Sequence, residues 1–140
     1  MPEESTTPDL VELTRRSWEA TSRRDLAAVL SFFAPDGVWD LSTIGTGTFE
    51  GVSAIREFGE DWWGGYDEYQ IEPEEIVDLG NGVVFSVLNQ GGRPVGSSGF
   101  VEFRSAAVTT WRDGLIERTT NYLDTDQARA DAERLAQERG

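Results

Sequence analysis

The chain contains no histidine, no cysteine and no lysine, and all twelve of its basic residues are arginine. These absences remove most of the side chains that act as bases, nucleophiles and metal ligands near neutral pH. Without cysteine, the chain forms neither a disulfide framework nor a cysteine zinc site. Any catalysis must therefore rely on carboxylates, hydroxyls, amides and arginine, and a carboxylate acts as a base near pH 7 only if burial raises its pKa.

Positive charge is also scarce, since 26 acidic residues outnumber the 12 arginines and give a net charge of −14. This imbalance argues against nucleic acid as a partner, because phosphate binding needs clustered cations. It argues equally against anionic membrane surfaces. The charge is typical of a solvated acidic surface, and arginine without lysine indicates either a GC-rich or a salt-adapted source.

Long apolar runs are absent as well, and none approaches the roughly 20 residues that cross a bilayer. The first residues, MPEESTTPDL, are acidic and polar, unlike a secretory signal. We therefore expect a cytoplasmic protein with one domain at 9–138, preceded by a flexible arm at 1–8. No metal and no cofactor are expected.

The first half of the chain has helical periodicity and predicts three helices. The first opens at Thr7-Pro8-Asp9, with Asp9 in its first turn, and ends near Arg23-Arg24, where cations suit a C-terminus. The second follows at once with Asp25 as its N-cap and a stripe of apolar residues at helical spacing. The third is expected to be capped by Ser53 and to end at Gly64-Gly65. The arginines of the first helix and its end are predicted to be solvated; they are Arg15, Arg16, Arg23 and Arg24.

After residue 65 the apolar period changes from 3.6 to 2, which predicts strands. Turn signals separate four strands of an antiparallel meander, predicted at 66–79, 83–90, 95–111 and 115–123. A shorter strand at 38–41 precedes a Gly- and Thr-rich loop or small hairpin. Asp124 is predicted to begin a last helix with a thin, alanine-rich apolar face. Three helices before a curved antiparallel sheet define an α+β domain with helices on one face.

The turn at Arg112-Asp113-Gly114 decides which residues of the last two strands share a face. A three-residue loop places Trp111 opposite Leu115 and Ala107 opposite Thr119, whereas a two-residue loop shifts the pairing. In the three-residue register, one face has small polar residues between large ends; it carries Phe103, Ser105, Ala107, Thr109, Trp111, Leu115, Glu117, Thr119, Asn121 and Leu123. Small residues opposite helices indicate a hollow, and the alternative is ordinary packing around one or two waters.

The opposite face of these strands mixes aromatic, aliphatic and arginine side chains. It carries Phe100, Glu102, Arg104, Ala106, Val108, Ile116, Arg118, Thr120 and Tyr122. Such a mixture is more typical of a protein interface than of a solvated sheet. We therefore predict a homodimer through this sheet face.

Three segments in fixed order carry a resemblance to a known family: RRDLAAVLSFFAPDGVWD, GTFEGVSAIREF and WRDGLIERTTNYLD. Together they resemble the nuclear transport factor 2-like superfamily in its SnoaL-like, polyketide cyclase-like branch, over residues 9–135. The resemblance implies a cone-shaped curved antiparallel sheet with three N-terminal helices over its concave face, enclosing a pocket, and a dimer through the sheet. The superfamily includes ketosteroid isomerases, polyketide cyclases and epoxide hydrolases, so the fold alone does not give the function.

By this resemblance Asp40 falls where the isomerases place their general-base carboxylate. Its apolar neighbours Val38 and Trp39 are the kind of setting that raises the pKa of an aspartate. The alternative is that Asp40 only caps the loop at Ser42-Thr43.

The other catalytic positions of the superfamily are altered in this chain. The oxyanion donors of the isomerases correspond to Ser17 and Ala107, so steroid isomerase chemistry is not expected. The aspartate in the last strand of the epoxide hydrolases corresponds to Asn121, which can orient a ligand but cannot take its proton. A cyclase, which needs one carboxylate base and an apolar cavity, is the enzyme type least contradicted.

The sequence thus predicts a small-molecule-binding SnoaL-like domain for a hydrophobic cyclic or polyketide-like molecule. As a cyclase or isomerase it would use Asp40 as its catalytic base; the alternatives are a non-catalytic binding domain and a purely structural dimerisation domain. The predicted substrate-binding residues are Trp18, Phe58, Trp62, Trp63, Phe103, Thr119 and Asn121.

Overall fold

The computed structural model describes residues 9–140, so the predicted flexible arm at 1–8 lies outside the described residues. Its helices are α1 (Leu10–Ser22), α2 (Leu26–Ser31), α3 (Gly51–Gly64) and α4 (Thr125–Arg139). Its strands are β1 (Phe33–Asp40), β2 (Thr48–Glu50), β3 (Tyr66–Gly80), β4 (Val83–Pro94), β5 (Val101–Arg112) and β6 (Leu115–Tyr122). None of these helices is both long and apolar enough to span a bilayer.

Aspartate caps set the start of three helices. The carboxylates of Asp9, Asp25 and Asp124 each accept a hydrogen bond from the backbone N–H three residues later. The predicted caps at Asp25 and Asp124 are thereby confirmed. Ser53 is not the cap of α3, because that helix begins at Gly51, whose φ of 85° lets the chain turn directly out of β2.

The six strands form one curved sheet in the order β2-β1-β6-β5-β4-β3. The predicted meander from β3 to β6 is antiparallel throughout, and the small hairpin of β1 and β2 is present. The sheet is nevertheless mixed, because β1 runs parallel to β6 with Trp39 opposite Thr119. No hairpin turn joins these two strands, so no local signal dictates their relative direction.

Strand β4 is longer than predicted and β5 is shorter. Gly91 and Gly92, expected to form a turn, lie inside β4, where a Cβ on Gly92 would stand 2.7 Å from both the Glu68 carbonyl oxygen and the Tyr66 ring. These glycines therefore allow neighbouring strands and side chains to approach the β4 backbone closely. The turn comes later, where the Ser97 N–H bonds to the carbonyl of Pro94.

The β5–β6 turn has two residues, so the three-residue register is wrong. Arg112 pairs with Leu115, and Asp113 and Gly114 both have positive φ (54° and 80°), as a type I′ turn requires. A bulge follows, which puts Trp111 opposite Ile116. Because of this bulge, Ile116 lies in the concave core and not on the opposite face.

The two faces of the sheet are covered by different helices. Helices α1, α2 and α3 all pack on the concave face, which confirms the predicted α+β architecture. Helix α4 packs on the other face, which we call the outer face, through Ala128, Ala132 and Ala136. Of the residues predicted to form the dimer surface, Ala106 and Val108 are buried in this second core.

Candidate functional site

The concave side is dominated by a set of touching aromatic rings that we call the aromatic cluster. Its neighbouring ring centroids lie 4.4 to 6.3 Å apart. Trp39 lies inside it, stacked on Phe33 at 6.0 Å and edge-on to Phe58 at 5.5 Å. The members are Phe33, Trp39, Phe49, Phe58, Trp62, Tyr66 and Tyr69.

Small polar residues of the sheet and of α1 hold the tryptophan rings of this side. The indole N–H of Trp39 donates to Asn121 Oδ1 over 2.7 Å, and both residues are buried. The indole of Trp111 donates to Thr14 over 3.1 Å. A buried indole N–H needs such a partner. Of the small polar residues predicted to line a hollow, Asn121 therefore holds an indole. Ser105 instead donates to Gln90 over 2.8 Å, and Thr119 donates to Thr109 over 3.4 Å.

The enclosed space on this side is correspondingly small. A cavity of about 10 Å³ is bounded by Ser17, Trp18, Thr21, Val29, Phe33, Trp39, Ile116 and Thr119. This is room for about one water molecule. This cavity is therefore too small for a ligand, and the alternative of packing around one or two waters fits it.

The aromatic cluster reaches the surface at a rim formed by Trp62, Tyr66 and Tyr69, which are only partly buried. The Tyr69 hydroxyl is nevertheless buried and has no hydrogen-bond partner among residues 9–140. Burial, with a smaller contribution from Tyr66, raises the pKa of Tyr69, so its hydroxyl remains neutral. The buried indole N–H of Trp63 is likewise without a partner in the described residues. Unpartnered buried donors are uncommon and mark positions where a ligand or water gains a hydrogen bond.

The predicted binding residues are only partly brought together. Trp18 and Thr119 border the small cavity, and Asn121 holds Trp39. Phe58 and Trp62 belong to the aromatic cluster, with their centroids 5.1 Å apart.

Two predicted binding residues lie elsewhere. Trp63 is buried beside Gly59 and outside the ring contacts of the cluster. Phe103 is 39% exposed and lies opposite Gln90 on β5.

Asp40 lies on the outer face, because alternation along β1 turns Trp39 inward and the next residue outward. Its carboxylate accepts hydrogen bonds from the Ser42 N–H (2.9 Å), the Ser42 hydroxyl (2.6 Å) and the Thr48 hydroxyl (3.1 Å). It also forms an ion pair with Arg118. The contacts with Ser42 match the alternative that Asp40 caps the following loop.

The expectation of a raised pKa for Asp40 is wrong. Burial alone raises this pKa, but the hydrogen bonds from Ser42, Arg118 and Thr48 outweigh it and lower the pKa to about 2. Asp40 is the one buried carboxylate in residues 9–140, so the concave interior of this part of the chain lacks a buried general base.

Asp40 borders a half-open channel of about 350 Å³ between β6 and α4, which we call the outer groove. On its far wall the Tyr122 hydroxyl donates to Asp131 over 2.8 Å, and Arg134 pairs with Asp131 over 2.8 Å. Burial, followed by the bond to Asp131, raises the pKa of Tyr122 to about 12. The groove is lined by Asp40, Thr43, Val108, Thr110, Arg118, Thr120, Tyr122, Asp131, Arg134, Leu135 and Glu138.

Sequence reasoning missed the α4 side of this groove. Its signal was the spacing of Asp131, Arg134 and Glu138 along one edge of the alanine stripe, which is the spacing of residues on one helix face.

Arg24 was also missed, since it was predicted to be solvated. It has a positive φ of 57° and is only half exposed. Its guanidinium donates to the carbonyls of Trp63 (3.5 Å), Tyr66 (3.0 Å) and Asp67 (3.4 Å). Arg24 thus ties the α1–α2 corner to the α3–β3 corner that carries the rim.

Three solved structures share this arrangement of helices over a curved sheet. A hypothetical protein with a ketosteroid isomerase-like fold from Catenulispora acidiphila, in complex with trimethylamine, has a TM-score of 0.73 at 18% identity over 91% of this chain and 94% of that chain. An NTF2-like protein of unknown function from Burkholderia pseudomallei has a TM-score of 0.73 at 23% identity over 86% and 95%. A protein described as a SnoaL-like polyketide cyclase from Shewanella putrefaciens has a TM-score of 0.70 at 15% identity over 92% and 98%.

At these identities the likeness defines the class of fold, which is NTF2-like. The sequence model of the SnoaL-like domain family matches residues 14–119, which is most of the chain. The chain belongs to the SnoaL-like family, as its sequence resemblance predicted. No curated protein is significantly similar to it in sequence.

Proposed function

We propose that this chain binds a small, mostly apolar molecule against the aromatic cluster. The observation that carries the proposal is the continuity of the cluster, from the buried Trp39 to Trp62 and Tyr69 at the partly buried rim. Touching rings that reach the surface offer a large apolar area at low entropic cost. The low charge of this interior suits binding of an apolar molecule better than carboxylate catalysis.

Binding requires the rim to move, because the enclosed space is only about 10 Å³. Trp62 is the ring best placed to rotate, since it is partly buried and lies two residues before Gly64-Gly65. Side-chain rearrangement of this size on binding is common. The C. acidiphila relative, solved with trimethylamine, supports a small-molecule role for this fold.

Ligand-observed NMR with 2-naphthol as probe tests the proposal. We expect saturable binding that Trp62→Ala weakens at least about tenfold, the order expected for losing a buried aromatic contact. Phe103→Ala is the matched control, because Phe103 is an aromatic residue outside the cluster. Loss of binding in the Phe103 variant but not in the Trp62 variant would show that the site lies elsewhere.

A second candidate is a cyclase or isomerase that uses Asp40 as its base. It is favoured by one observation, the position of the buried Asp40 carboxylate beside the outer groove. A pKa of about 2 makes this carboxylate a weak base. We therefore expect the protein not to accelerate hydrogen–deuterium exchange beside the carbonyl of 2-tetralone. Accelerated exchange that disappears in Asp40→Asn would establish the catalytic alternative.

A homodimer through the outer face remains a prediction. Helix α4 covers the centre of that face, but Phe100, directly before β5, is 48% exposed. Analytical ultracentrifugation at micromolar concentration is expected to give a dimer, and a monomer there contradicts the prediction.

A further inference from the structure

Acidic residues flank the rim residues of the aromatic cluster along the chain. Asp61 directly precedes Trp62, and Asp67 and Glu68 lie between Tyr66 and Tyr69; all three acidic residues are exposed. From residue 57 to residue 78 the chain has nine acidic residues and no basic residue. Carboxylates at the mouth of a site raise the local concentration of cations there.

The two arginines that contact this corner are engaged with other groups. Arg93 pairs with Glu68 over 2.8 Å. Arg24 donates to backbone carbonyls, among them that of Tyr66 over 3.0 Å. Arg93 therefore offsets the charge of Glu68, and Arg24 adds one positive charge beside the rim. The negative charge that is left comes from Asp61 and Asp67, which form no ion pair with the described residues.

The interior side of the rim offers no counter-charge for an anion. Within residues 9–140, the buried polar side chains of the concave face are hydroxyls and amides such as Thr14, Thr119 and Asn121. An anionic ligand would be desolvated there without a cationic partner, which is costly. The arginines of the outer groove, Arg118 and Arg134, belong to the opposite face of the sheet.

The rings and one hydroxyl of the rim suit a cation directly. Trp62 and Tyr69 are 5.5 Å apart at an interplanar angle of 66°, and Tyr66 is 5.7 Å from Tyr69. A cation within about 6 Å of the centroid of a tryptophan or tyrosine ring is attracted by the negative charge of its face. The unpartnered Tyr69 hydroxyl provides an acceptor for an ammonium N–H or for the hydroxyl of an amino alcohol.

We infer that the ligand of the aromatic cluster is a small alkylammonium cation, held on the rings of Trp62, Tyr66 and Tyr69 and attracted by the acidic rim. This inference rests on the proposed binding function and names the charge of its ligand. The contacts are neutral on the inside and anionic on the outside, so the alkyl groups face the rings and the charge stays near the mouth.

A series of three probes with one shape and three charges tests the inference. The probes are choline, its uncharged analogue tert-butylethanol (3,3-dimethyl-1-butanol), and the anion 3,3-dimethylbutanoate. They are titrated at low salt with tryptophan fluorescence and NMR as readouts. We expect choline to bind about tenfold more tightly than tert-butylethanol, the order of a cation–π contact at a partly desolvated site. The anion is expected to bind most weakly.

A matched pair of double variants separates the rim charges from net charge. Asp61→Asn with Asp67→Asn is expected to weaken choline binding about threefold and to leave tert-butylethanol unchanged. Asp113→Asn with Glu133→Gln changes the net charge equally at exposed positions on other elements, and is expected to change neither.

The outcomes distinguish the inference from the function on which it rests. If 2-naphthol and tert-butylethanol bind in a Trp62-dependent way and choline binds no more tightly, the inferred charge is wrong and the binding function stands. If the anion binds best, the inference is overturned as well. If no probe binds at millimolar concentration, the proposed function fails with it.

Discussion

The two faces of the sheet hold their buried polar groups by different chemistry. On the concave face, neutral partners meet: Asn121 accepts from the Trp39 indole over 2.7 Å. On the outer face, charged partners meet: Asp40 pairs with Arg118, and Asp131 accepts from Tyr122. Adjacent residues of one strand, Trp39 and Asp40, therefore experience opposite environments.

The two faces of the sheet therefore differ in the solution conditions that change their stability. Burial of aromatic rings does not depend on pH, whereas ion pairs and hydrogen bonds to carboxylates respond to pH and are screened by salt. Stability of the concave face is thus expected to depend on shape, and stability of the outer face on protonation.

The largest effect is expected from Trp39→Ala. Trp39 is 2% exposed and contacts Phe33, Phe58 and Trp62, so its removal leaves a cavity and an unpaired Asn121 amide. We expect a loss of about 3–5 kcal/mol in the free energy of unfolding, measured by urea denaturation. The loss is expected to be equal at pH 5 and pH 8, since no titrating group is involved. A loss that varies with pH contradicts this account of the concave face.

A smaller, pH-dependent effect is expected from Asp40→Asn. Because Asp40 has its pKa lowered from 3.8 to about 2 in the folded state, its ionised form stabilises the fold above pH 4. This contribution, about 2 kcal/mol by linkage, is lost as the pH falls from 4 towards 2.

Urea denaturation across that range measures the contribution. The wild type is expected to lose stability more steeply than Asp40→Asn, while the exposed-site control Asp113→Asn follows the wild type. Parallel curves for wild type and Asp40→Asn would falsify the ion-pair assignment.

The smallest effect is expected from Tyr122→Phe. Removing the hydroxyl that donates to Asp131 over 2.8 Å is expected to cost about 1 kcal/mol near neutral pH. Because the pKa of Tyr122 is raised to about 12, its contribution is present below pH 10 and is lost as the pH rises towards 12. Tyr66→Phe is the control, since the Tyr66 hydroxyl forms no hydrogen bond with the described residues, and thermal unfolding is expected to show a smaller change there.

Local chemistry predicted the helices and most strands. Asp25 and Asp124 cap helices because the capping bond joins residues three apart, which a sequence displays directly. The α+β class followed from the change of period after residue 65.

Long-range pairing explains what the sequence did not predict. The hollow was expected from small residues on β5 and β6, but indoles from distant elements fill it, as Trp39 does against Asn121. The register of β6 depends on a bulge that the turn residues do not predict. Asp40 has apolar residues on both sides, Trp39 and Leu41, so alternation alone did not reveal which way it faces.

The parallel pairing of β1 with β6 has a consequence for the order of folding. Trp39 and Asn121 are 82 positions apart, so the sheet edge that receives β1 and β2 exists only after β6 has been synthesised. Strands β1 and β2 therefore cannot pair with the rest of the sheet until the ribosome has synthesised β6. Contacts of such high sequence separation slow folding and prolong the time in which apolar strands are unprotected. Shortening the chain before β6 would therefore remove not one strand from the sheet but three.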